Sequence, residues 1–418
     1  MNHLDADADA VVVGAGPAGS VAALVLAQAG VRVRLIDRAT FPRDKLCGDT
    51  LNPGSLSILD RLGRGGSSAF AEASADRRSL GGGRSDPPAS STPPGSIGDL
   101  IRARALPIAG MTVTGPGARV SADYPDGLSG ASLTRRHLDQ ILLDAATSAG
   151  VCFEPDVSVR GPLIEDERVV GVRLASRQPH CALRARIVIA ADGRGSRVAA
   201  GVKLSSYARE PRRWAFGAYF TGVTQMTRRG EMHIRPDGYI GIAPLPDGLT
   251  NVSVVRDERR GLHATRAEQQ ALVRCAVASD PELRDRFDTA TQVSPVTVLG
   301  PLAVDALGAG CPGLLLAGDA AGFVDPMTGD GLRFALRGGE LAAQAALSEL
   351  GSGQPAFRSL DAMRTREFST KWRVNRALRL IVGSPRALDL AALISKRWST
   401  PVEYLIGVAG DVSLAKRT

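Results

Sequence analysis

The feature that most constrains the fold of this chain is residues 9–30, DAVVVGAGPAGSVAALVLAQAG. The apolar residues 10–13 predict a buried parallel strand, and the Ala- and Leu-rich residues 20–29 predict a helix that ends at Gly30. The glycines between them fit the pattern G-x-G-x-x-G, at Gly14, Gly16 and Gly19. A strand, a glycine turn and a helix in this order predict the first unit of a doubly wound α/β sheet.

Each glycine of this turn has its own physical reason. Gly14 allows the tight turn, Gly16 lets the backbone approach a diphosphate, and Gly19 lets the helix pack on the strand. The free amides and the dipole at the helix N-terminus favour the anion. A second predicted strand, residues 31–36, ends at Asp37, where a carboxylate about 20 residues beyond the glycines can bind a ribose hydroxyl. The stretch predicts dinucleotide binding, and the alternative is an ordinary tight turn.

A later turn follows a second apolar run. The predicted strand 186–190 leads into Ala-Asp-Gly-x-x-Ser-Arg, which places Asp192 and Gly193 at the carboxyl edge of the sheet. The turn offers a carboxylate, a hydroxyl and a cation together, although such a sequence can also be only a turn.

A third turn repeats the order of strand, glycine turn and helix. The predicted strand 313–318 leads into a glycine-rich segment, and a helix is predicted over 332–347. Asp319 can bind a polyol hydroxyl. The amides of residues 329–332 can hold a ring oxygen that gains negative charge on reduction.

Composition narrows the class of protein. The 418 residues predict two or three domains, and 44% hydrophobic residues with 47 glycines suit a soluble α/β protein. The formal net charge of +8 is compatible with nucleic acid, a membrane surface or an anionic substrate. Aromatic residues make up only 4%, and no basic run is interleaved with them, so we expect no nucleic-acid partner.

The cysteines and the N-terminus bear on location. The five cysteines are scattered without a C-x-x-C pair, which predicts neither a zinc site nor a disulfide framework and favours a reducing cytoplasm. The N-terminal MNHLDADADA is acidic and lacks an apolar h-region, so we expect no signal peptide. No apolar run reaches the roughly 18 residues that a spanning helix needs.

Two candidate functional residues lie between the motifs. Residues 38–54 are rich in Gly, Pro, Asp and Asn and predict a loop at the ligand-binding edge of the sheet. Within it, Cys47 is either a buried small residue or a thiol that faces cofactor or substrate. Arg135 stands in the first turn of a helix predicted over 134–150, where the dipole disfavours a cation, so it is either directed at a phosphate or solvated.

The remaining segments complete the predicted organisation. Gly, Ser, Pro and Ala dominate residues 65–95, which predicts a flexible low-complexity insertion, either a lid or an accreted segment. Residues 214–256 hold strand-like runs joined by two Pro-Asp-Gly turns and predict an antiparallel, substrate-facing sheet. Residues 364–397 are helical, basic and partly apolar, so they either cover a core with a solvated face or contact a membrane surface.

The three blocks G-x-G-x-x-G, D-G and G-D, in this order, resemble those of the p-hydroxybenzoate-hydroxylase-like FAD-dependent oxidoreductases. That superfamily holds group A flavoprotein monooxygenases, flavin-dependent halogenases and geranylgeranyl reductases. The resemblance implies a doubly wound, Rossmann-like FAD-binding α/β domain, an inserted antiparallel β-sheet substrate domain and a helical C-terminus. The implied FAD-binding parts are residues 1–64, 96–205 and 301–350, and the second part also carries some substrate-domain strands. The implied flexible insertion is 65–95, the substrate domain is 206–300, and the helical C-terminal region is 351–418.

The resemblance also implies roles for the turns. The first turn and Asp37 hold the FAD diphosphate and the adenosine ribose, and Arg135 contacts the phosphates. The second turn lines the same cleft, Asp319 binds the ribityl chain, and residues 329–332 bind the pyrimidine edge of the flavin. The implied cofactor-binding residues are Gly14, Gly16, Pro17, Ala18, Gly19, Asp37, Arg38, Arg135, Asp192, Gly193, Gly318, Asp319, Gly329, Asp330, Gly331 and Leu332.

Two further motifs resemble the geranylgeranyl reductase branch, K-x-C-G-D at 45–49 and G-D-A-A-G-F-x-D-P-x-T-G-D-G at 318–331. The Y-x-W-x-F-P pattern of that branch is altered here. Tyr239 and the proline are kept, but Gly241 and Ala243 stand where Trp and Phe would be, so we expect a roomier pocket. The W-x-W-x-I-P signature and the halogenase lysine context are absent, which disfavours halogenation.

The resemblance leaves three functions open. The first is an NAD(P)H-driven monooxygenase that hydroxylates a small lipophilic aromatic or polyketide-like molecule. The second is a geranylgeranyl-reductase-like enzyme that reduces isoprenoid C=C bonds, with Cys47 or Tyr239 as the proton donor. The third is a flavin-binding partner subunit without turnover. No second G-x-G-x-x-G is present, so we expect NAD(P)H to visit the same cleft transiently. We expect a cytoplasmic protein, with peripheral membrane contact through the basic C-terminal helices as an alternative.

Overall fold

The computed structural model describes residues 6–62, 95–115, 118–175, 181–207, 213–257, 265–323 and 329–382. Two predictions fall partly outside these residues. They are the low-complexity insertion, of which only Gly95 is described, and residues 383–397 of the predicted basic helical region.

Strands and helices alternate through most of the described chain. The strands are β1 Ala8–Val13, β2 Val33–Ile36, β3 Thr50–Leu51, β4 Leu106–Ile108, β5 Gly110–Gly115, β6 Ala118–Asp123, β7 Gly130–Ser132, β8 Cys152–Glu154, β9 Val159–Glu165, β10 Arg168–Leu174, β11 Ala182–Ala190, β12 Ser205–Tyr207, β13 Arg213–Thr221, β14 Arg229–Arg235, β15 Gly238–Pro244, β16 Leu249–Asp257, β17 Thr291–Gln292, β18 Thr297–Leu299, β19 Val304–Ala306, β20 Gly310–Cys311 and β21 Leu314–Leu316. The helices are α1 Pro17–Gln28, α2 Pro53–Leu62, α3 Ile97–Arg102, α4 Arg135–Ser148, α5 Arg197–Gly201, α6 Arg266–Ser279, α7 Arg284–Phe287, α8 Gly331–Ser352 and α9 Phe357–Val382.

The first sheet carries the three glycine turns. Its spatial order is β20-β21-β11-β1-β2-β8, and the run from β21 to β8 is parallel. The hairpin of β9 and β10 extends β11 by antiparallel pairing. Because β1 lies between β2 and β11, the chain switches direction across the sheet beside β1. In a doubly wound sheet, ligands bind outside the carboxyl ends of the strands at this switch point.

Both faces of the first sheet are buried, which explains why β1 is a continuous apolar run. Val12 points to the face that packs against α1, α4 and α8, where Leu26 and Leu336 are fully buried. Val11 and Val13 point to the opposite face, which β9, β10 and α5 cover. The alternation follows from the two-residue period of a strand.

The second sheet has the order β17-β13-β16-β15-β14-β5-β6, with β18 also paired to β13. The strands of the predicted substrate domain pair in an antiparallel manner, and the two Pro-Asp-Gly segments form the predicted turns between strands. One ladder differs, because β14 and β5 are parallel. β5 and β6 come from residues 96–205, the predicted second FAD-binding part, and pair within the second sheet.

The two faces of the second sheet differ in surroundings. Phe216, Phe220 and Val254 pack against α6 and α7 in an apolar core. Residues on the opposite face, among them Met232 and Tyr239, form a smaller apolar cluster with Leu46 from the loop after β2. Leu46 lies against Gly217, where a Cβ would collide with the leucine side chain. The loop therefore docks the first sheet onto the second.

The structure confirms the fold class and refines the element bounds. The first helix begins at Pro17 and not at residue 20, because proline suits the first helical position. The predicted loop 38–54 contains the short strand β3, and the following helix begins at Pro53. Thr265 caps α6 through a capping box with Glu268, which marks the predicted return of helices.

Candidate functional site

One cavity lies between the glycine turns of the first sheet and the apolar face of the second sheet. It collects residues that are far apart in sequence, as the sequence predicts. The predicted site residues that line it are Gly16, Pro17, Ala18, Cys47, Arg135, Gly193, Tyr239, Gly318, Asp319, Gly329, Gly331 and Leu332. The predicted residues that do not line it are Gly14, Gly19, Asp37, Arg38, Asp192 and Asp330.

The three glycines of the first turn meet different surroundings. Gly14 has a φ of +98°, and a Cβ there would collide with the backbone of Ala191. A Cβ on Gly19 would collide with the carbonyl of Gly14. A Cβ on Gly16 would meet nothing closer than the guanidinium of Arg43, at 3.5 Å. Gly14 and Gly19 are thus required by the protein's own packing, whereas Gly16 leaves open space for a ligand.

Three cations surround this open space at the N-terminus of α1. Arg43, Lys45 and Arg135 lie together, and burial together with mutual repulsion lowers the pKa of Arg43 and of Lys45. Asp139 binds Arg135 through two hydrogen bonds of 2.7 and 2.8 Å and Arg43 at 3.1 Å. Within the described chain, the buried Nη1 of Arg43 has no hydrogen-bond partner. An excess of cations, an unused donor and a helix N-terminus fit a diphosphate.

The Asp37 carboxylate fixes the first glycine turn through hydrogen bonds from backbone amides. Its Oδ2 accepts a hydrogen bond of 2.7 Å from the Ala15 amide, and its Oδ1 accepts one of 2.9 Å from the Ala39 amide. The carboxylate thus links the end of β2 to the glycine turn, whereas the side chain of Arg38 is exposed. Ribose binding by Asp37 stays a prediction.

The second turn contributes backbone to the cavity, while its carboxylate serves the fold. Gly193 lines the cavity beside the Nζ of Lys45. The Oδ2 of Asp192 accepts a hydrogen bond of 3.0 Å from the Arg197 amide in the first turn of α5. Burial raises the pKa of Asp192, and a hydrogen bond with Ser196 opposes that rise. Asp192 therefore supports the turn from outside the cavity.

The third turn closes the cavity from the side of α8. Gly318 and Asp319 begin a 3-10 helix that follows β21, and Gly329 has a φ of +68° just before α8 begins. The carboxylate of Asp330 is buried and accepts hydrogen bonds from Lys371 at 2.6 Å and Asn52 at 3.3 Å. Its side chain thus anchors the turn, while Gly331 and Leu332 at the start of α8 line the cavity.

The second sheet supplies an apolar wall opposite these turns. Tyr239, Gly241 and Ala243 alternate along β15 and line the cavity, as do Met232 on β14 and Val255 on β16. The two small residues on β15 are those that stand in place of larger rings. The wall is thus wide and largely apolar, which suits a lipophilic molecule.

Cys47 stands where the two halves of the cavity meet. Cys47 lines the cavity, as does Arg135. Burial raises the pKa of the thiol, while the nearby Arg135 guanidinium opposes that rise. The rise favours the neutral thiol, the form that can donate a proton.

A buried carboxylate lies next to this thiol. Asp49 is 1% exposed and adopts a φ of +56°. Its Oδ2 accepts hydrogen bonds of 2.8 Å from the Tyr219 hydroxyl and 2.6 Å from the Asn251 amide, and its Oδ1 accepts one of 3.2 Å from the Arg135 amide. Burial raises the pKa of Asp49 to about 6, although Asn251 and Tyr219 oppose this.

Sequence reasoning missed five residues of this site. Lys45 and Asp49 were within reach, since both belong to the K-x-C-G-D motif. Arg43 lies in the same loop but belongs to no recognised pattern. Tyr219 and Asn251 sit on two strands of the second sheet and meet Asp49 only through the fold. The residues missed are Arg43, Lys45, Asp49, Tyr219 and Asn251.

Two features are absent from the described part of the chain. No group of three or more His, Cys, Asp or Glu side chains is placed to hold a metal ion among the described residues. Among the same residues, no helix is both long and apolar enough to cross a membrane.

Comparisons with known proteins agree with this geometry. The model of the FAD binding domain family matches residues 7–374. The chain is 30% identical over 434 residues to the menaquinone reductase of Mycobacterium tuberculosis, covering 98% of this chain and 92% of that protein. It is 26% identical to the digeranylgeranylglycerophospholipid reductase of Methanosarcina acetivorans, covering 87% of this chain and 80% of that protein.

Solved structures share the fold at lower identity. The flavin-dependent brominase Bmp2 superposes with a TM-score of 0.75 at 18% identity, covering 96% of this chain and 93% of that one. Likeness at this identity shows the architecture and leaves the reaction open. With the match over residues 7–374 and the diphosphate-shaped turn, the chain belongs to the FAD binding domain family and is an FAD-dependent oxidoreductase.

Proposed function

We propose that this protein is a reductase of C=C bonds in an isoprenoid lipid and that NAD(P)H supplies its electrons. The relatives named as reductases of menaquinone and of digeranylgeranylglycerophospholipid support the substrate class. The proposal selects the second of the functions that the sequence leaves open. The observation that carries it is the position of Cys47 on the wall of an apolar cavity beside the glycine turns.

An acid at this position is what distinguishes reduction from hydroxylation. Reduction of a C=C bond adds two hydrogens, one as a hydride and one as a proton. A protein acid in the cavity must therefore give the proton to the substrate. Hydroxylation takes its new atom from O₂ and does not require such an acid at the carbon. Cys47 is thus a group that the reductase uses and the monooxygenase does not.

The reaction balances with this thiol as the donor. The first glycine turn, Arg43 and Arg135 would hold FAD, which, once reduced by NAD(P)H, would supply the hydride equivalent to one alkene carbon. The Cys47 S–H bond breaks, its proton forms a C–H bond at the other alkene carbon, and the sulfur keeps the electron pair. Arg135 and the Asp49 amide stabilise this thiolate until it regains a proton from water. The apolar wall that includes Met232 and Val255 excludes water from the alkene.

Tyr239 is the second candidate donor from the sequence. It lines the same cavity and is 4% exposed. A phenol is a weaker acid than a thiol, so Tyr239 is the poorer proton donor of the two. We propose that its ring shapes the apolar wall, and a Tyr239→Phe variant should accordingly retain most of the activity.

The central experiment reads the mass of the product. The FAD-loaded protein is reduced with NAD(P)H without oxygen and given a polyprenyl quinone or a geranylgeranyl lipid. We expect a product heavier by two hydrogens per bond, formed without O₂. The same lipid and a set of phenolic substrates are then tested under ¹⁸O₂. Incorporation of ¹⁸O without any anaerobic reduction would instead establish the monooxygenase.

Cys47→Ala tests the proton donor. We expect the reduction rate to fall by about 10²-fold or more, because general-acid catalysis contributes about that much. FAD binding and reduction by NAD(P)H should stay near the wild-type level, as measured by flavin absorbance. Cys152→Ala, at an exposed cysteine, is the matched control and should leave the rate unchanged. An unchanged rate in Cys47→Ala would reduce the role of this residue to packing.

Flavin reduction also tests the third open function. If neither NADH nor NADPH reduces the flavin with any lipid present, the protein is a flavin-binding subunit without turnover. Membrane contact through the basic C-terminal helices fits a lipid substrate and stays a prediction. Sedimentation with anionic lipid vesicles compared with neutral ones tests it, since a basic surface should bind only the former.

A further inference from the structure

The contacts around Asp49 converge on Cys47 from three separate elements. Asn251 on β16 donates from its Nδ2 to the Asp49 carboxylate at 2.6 Å and to the Cys47 carbonyl at 2.8 Å. Tyr219 on β13 donates to the same carboxylate oxygen. The Arg135 amide on α4 donates to the other oxygen at 3.2 Å, and Arg135 lines the same cavity as Cys47. The carboxylate is therefore the hub through which the fold holds the thiol in place.

The charges around the sulfur oppose one another. The Arg135 guanidinium favours the thiolate, and the negative Asp49 carboxylate disfavours it. Two other charged groups lie near this loop. Burial and the charge of Arg135 lower the pKa of Lys45, and the carboxylate of Asp44 is exposed. Without Asp49, the cations would dominate and the sulfur would lose its proton more readily.

A carboxylate in this position has no other evident task. Asp49 does not line the cavity, so it does not contact the substrate or the flavin turns directly. It is buried without an ion pair among the described residues, which is costly for a charge. Three neutral donors hold it there, and the backbone adopts a left-handed conformation to do so. Such an arrangement is retained where the charge affects a neighbour.

We propose that Asp49 is a positioning residue that holds Cys47 toward the cavity and keeps its sulfur protonated. The inference rests on the proposed role of Cys47 as proton donor. Asn251 fixes the backbone of Cys47 directly while it binds the Asp49 carboxylate, and the charge of Asp49 offsets that of Arg135. The reaction requires both effects, because a thiolate can neither donate a proton nor reprotonate quickly beside two cations.

Alkylation of Cys47 measures this effect without any substrate. The FAD-loaded protein is treated with iodoacetamide across pH 6 to 10, and the labelled peptides are quantified by mass spectrometry. In the wild type, we expect the Cys47 midpoint to lie above that of the exposed Cys152, because burial disfavours the thiolate of Cys47. In Asp49→Asn, we expect the Cys47 midpoint to fall by about one pH unit or more.

Two further variants separate charge from position. Asp44→Asn removes an exposed carboxylate of the same loop and should leave the Cys47 midpoint unchanged. Asn251→Ala removes the hydrogen bond to the Cys47 carbonyl, so kcat should fall with KM unchanged because the thiol is no longer held.

Several results would overturn the inference. They are a wild-type Cys47 midpoint at or below that of Cys152, an unshifted midpoint in Asp49→Asn, or an equal shift in Asp44→Asn. The wild-type comparison needs no variant, so a poorly folded Asp49→Asn does not prevent the test. If the midpoint shifts as expected but Cys47→Ala still reduces the lipid, the coupling stands and the proposed function of the thiol is wrong.

Discussion

At the scale of single residues, the site shows which groups serve the fold and which are left for a ligand. Gly14 and Gly19 are fixed by collisions with the protein's own backbone, whereas Gly16 is not. Arg43 likewise has one nitrogen that the described protein does not use. Unused space and an unused donor next to each other are the mark of a cofactor site, and both can be tested separately from stability.

Gly16→Ala should fold normally and bind FAD poorly. The added methyl meets the guanidinium groups of Arg43 at 3.5 Å and Arg135 at 3.9 Å, which are ordinary contacts, so the apoprotein accommodates it. It occupies the space where the backbone would approach the diphosphate. Thermal unfolding of the apoprotein and titration of FAD fluorescence give the two measurements. Gly19→Ala is the contrasting variant, which should lose stability because its methyl collides with the Gly14 carbonyl. Normal FAD affinity in Gly16→Ala would remove Gly16 from the cradle.

Arg43→Met should weaken FAD binding by about tenfold or more. A hydrogen bond to a charged group contributes about 1.5–3 kcal/mol, and each 1.4 kcal/mol is about tenfold in affinity. The variant also loses the cation–π contact of the Arg43 guanidinium, whose central carbon lies 4.8 Å from the centroid of the Phe41 ring. Arg136→Met is the control, since Arg136 is about half exposed and, among the described residues, pairs with the exposed Asp44. Equal FAD affinity in Arg43→Met and wild type would contradict the assignment.

At the scale of elements, the long helix α9 holds the third glycine turn in place. The buried Arg364 donates to the carbonyls of Leu316 and Ala321, which precede and end the 3-10 helix. About two helical turns later along α9, the Nζ of Lys371 donates to the Asp330 carboxylate at 2.6 Å. Since both contacts hold backbone next to the cavity, α9 sets the position of the turn although it does not line the cavity.

Lys371→Met should lower the free energy of unfolding by about 3 kcal/mol or more, because it leaves the Asp330 charge buried without its cation. Adding Asp330→Asn removes that charge, so the double variant should regain part of the loss. Urea denaturation of the single and double variants measures both. The exposed neighbour Arg373→Met should have little effect. A double variant as unstable as the sum of the single ones would show that the pair is not coupled.

At the scale of the whole molecule, the second sheet forms one wall of the cavity, and its other face packs against α6 and α7. On the reverse face of that sheet, Glu231 on β14 binds Arg286 on α7 at 2.7 and 2.9 Å and His233 at 3.0 Å. Although burial opposes its charge, hydrogen bonds from His233 and Arg286 lower the pKa of Glu231 to about 2. This buried cluster ties β14, a wall strand of the cavity, to the helical cover.

The Glu231 cluster predicts an acid-sensitive contribution to stability. A carboxyl whose pKa is lower in the folded protein stabilises it above the ordinary pKa of 4.5, and the contribution is lost as the pH falls toward 2. Glu231→Gln should cost about 3 kcal/mol at pH 7, because it leaves Arg286 buried without its partner. Between pH 5 and 3, the variant should lose less stability than the wild type. Urea denaturation at each pH checks this, and identical slopes would contradict it.

The local elements were predictable where the signal is local. The strand, glycine turn and helix of residues 9–30 are in place, as are the helix after Thr134 and the Pro-Asp-Gly turns. The parallel pairing of β14 with β5 was not predictable, since the two strands lie about a hundred residues apart and neither carries a mark of its partner. The same reason hides Tyr219 and Asn251, which become part of the site only through the packing of two sheets.

The sequence by itself determined that this chain forms a doubly wound sheet that binds a nucleotide. The physical reason is that glycines at close backbone contacts cannot be replaced without a steric collision. The sequence also determined Cys47 as a candidate, since the residue lies in a motif. Only the tertiary structure decided which groups face the cavity and which brace it. Asp192 and Asp330 turn out to support the turns, while Asp49 comes to lie beside the thiol. Orientation and pKa depend on neighbours from distant segments, and those neighbours are brought together only when the sheets dock.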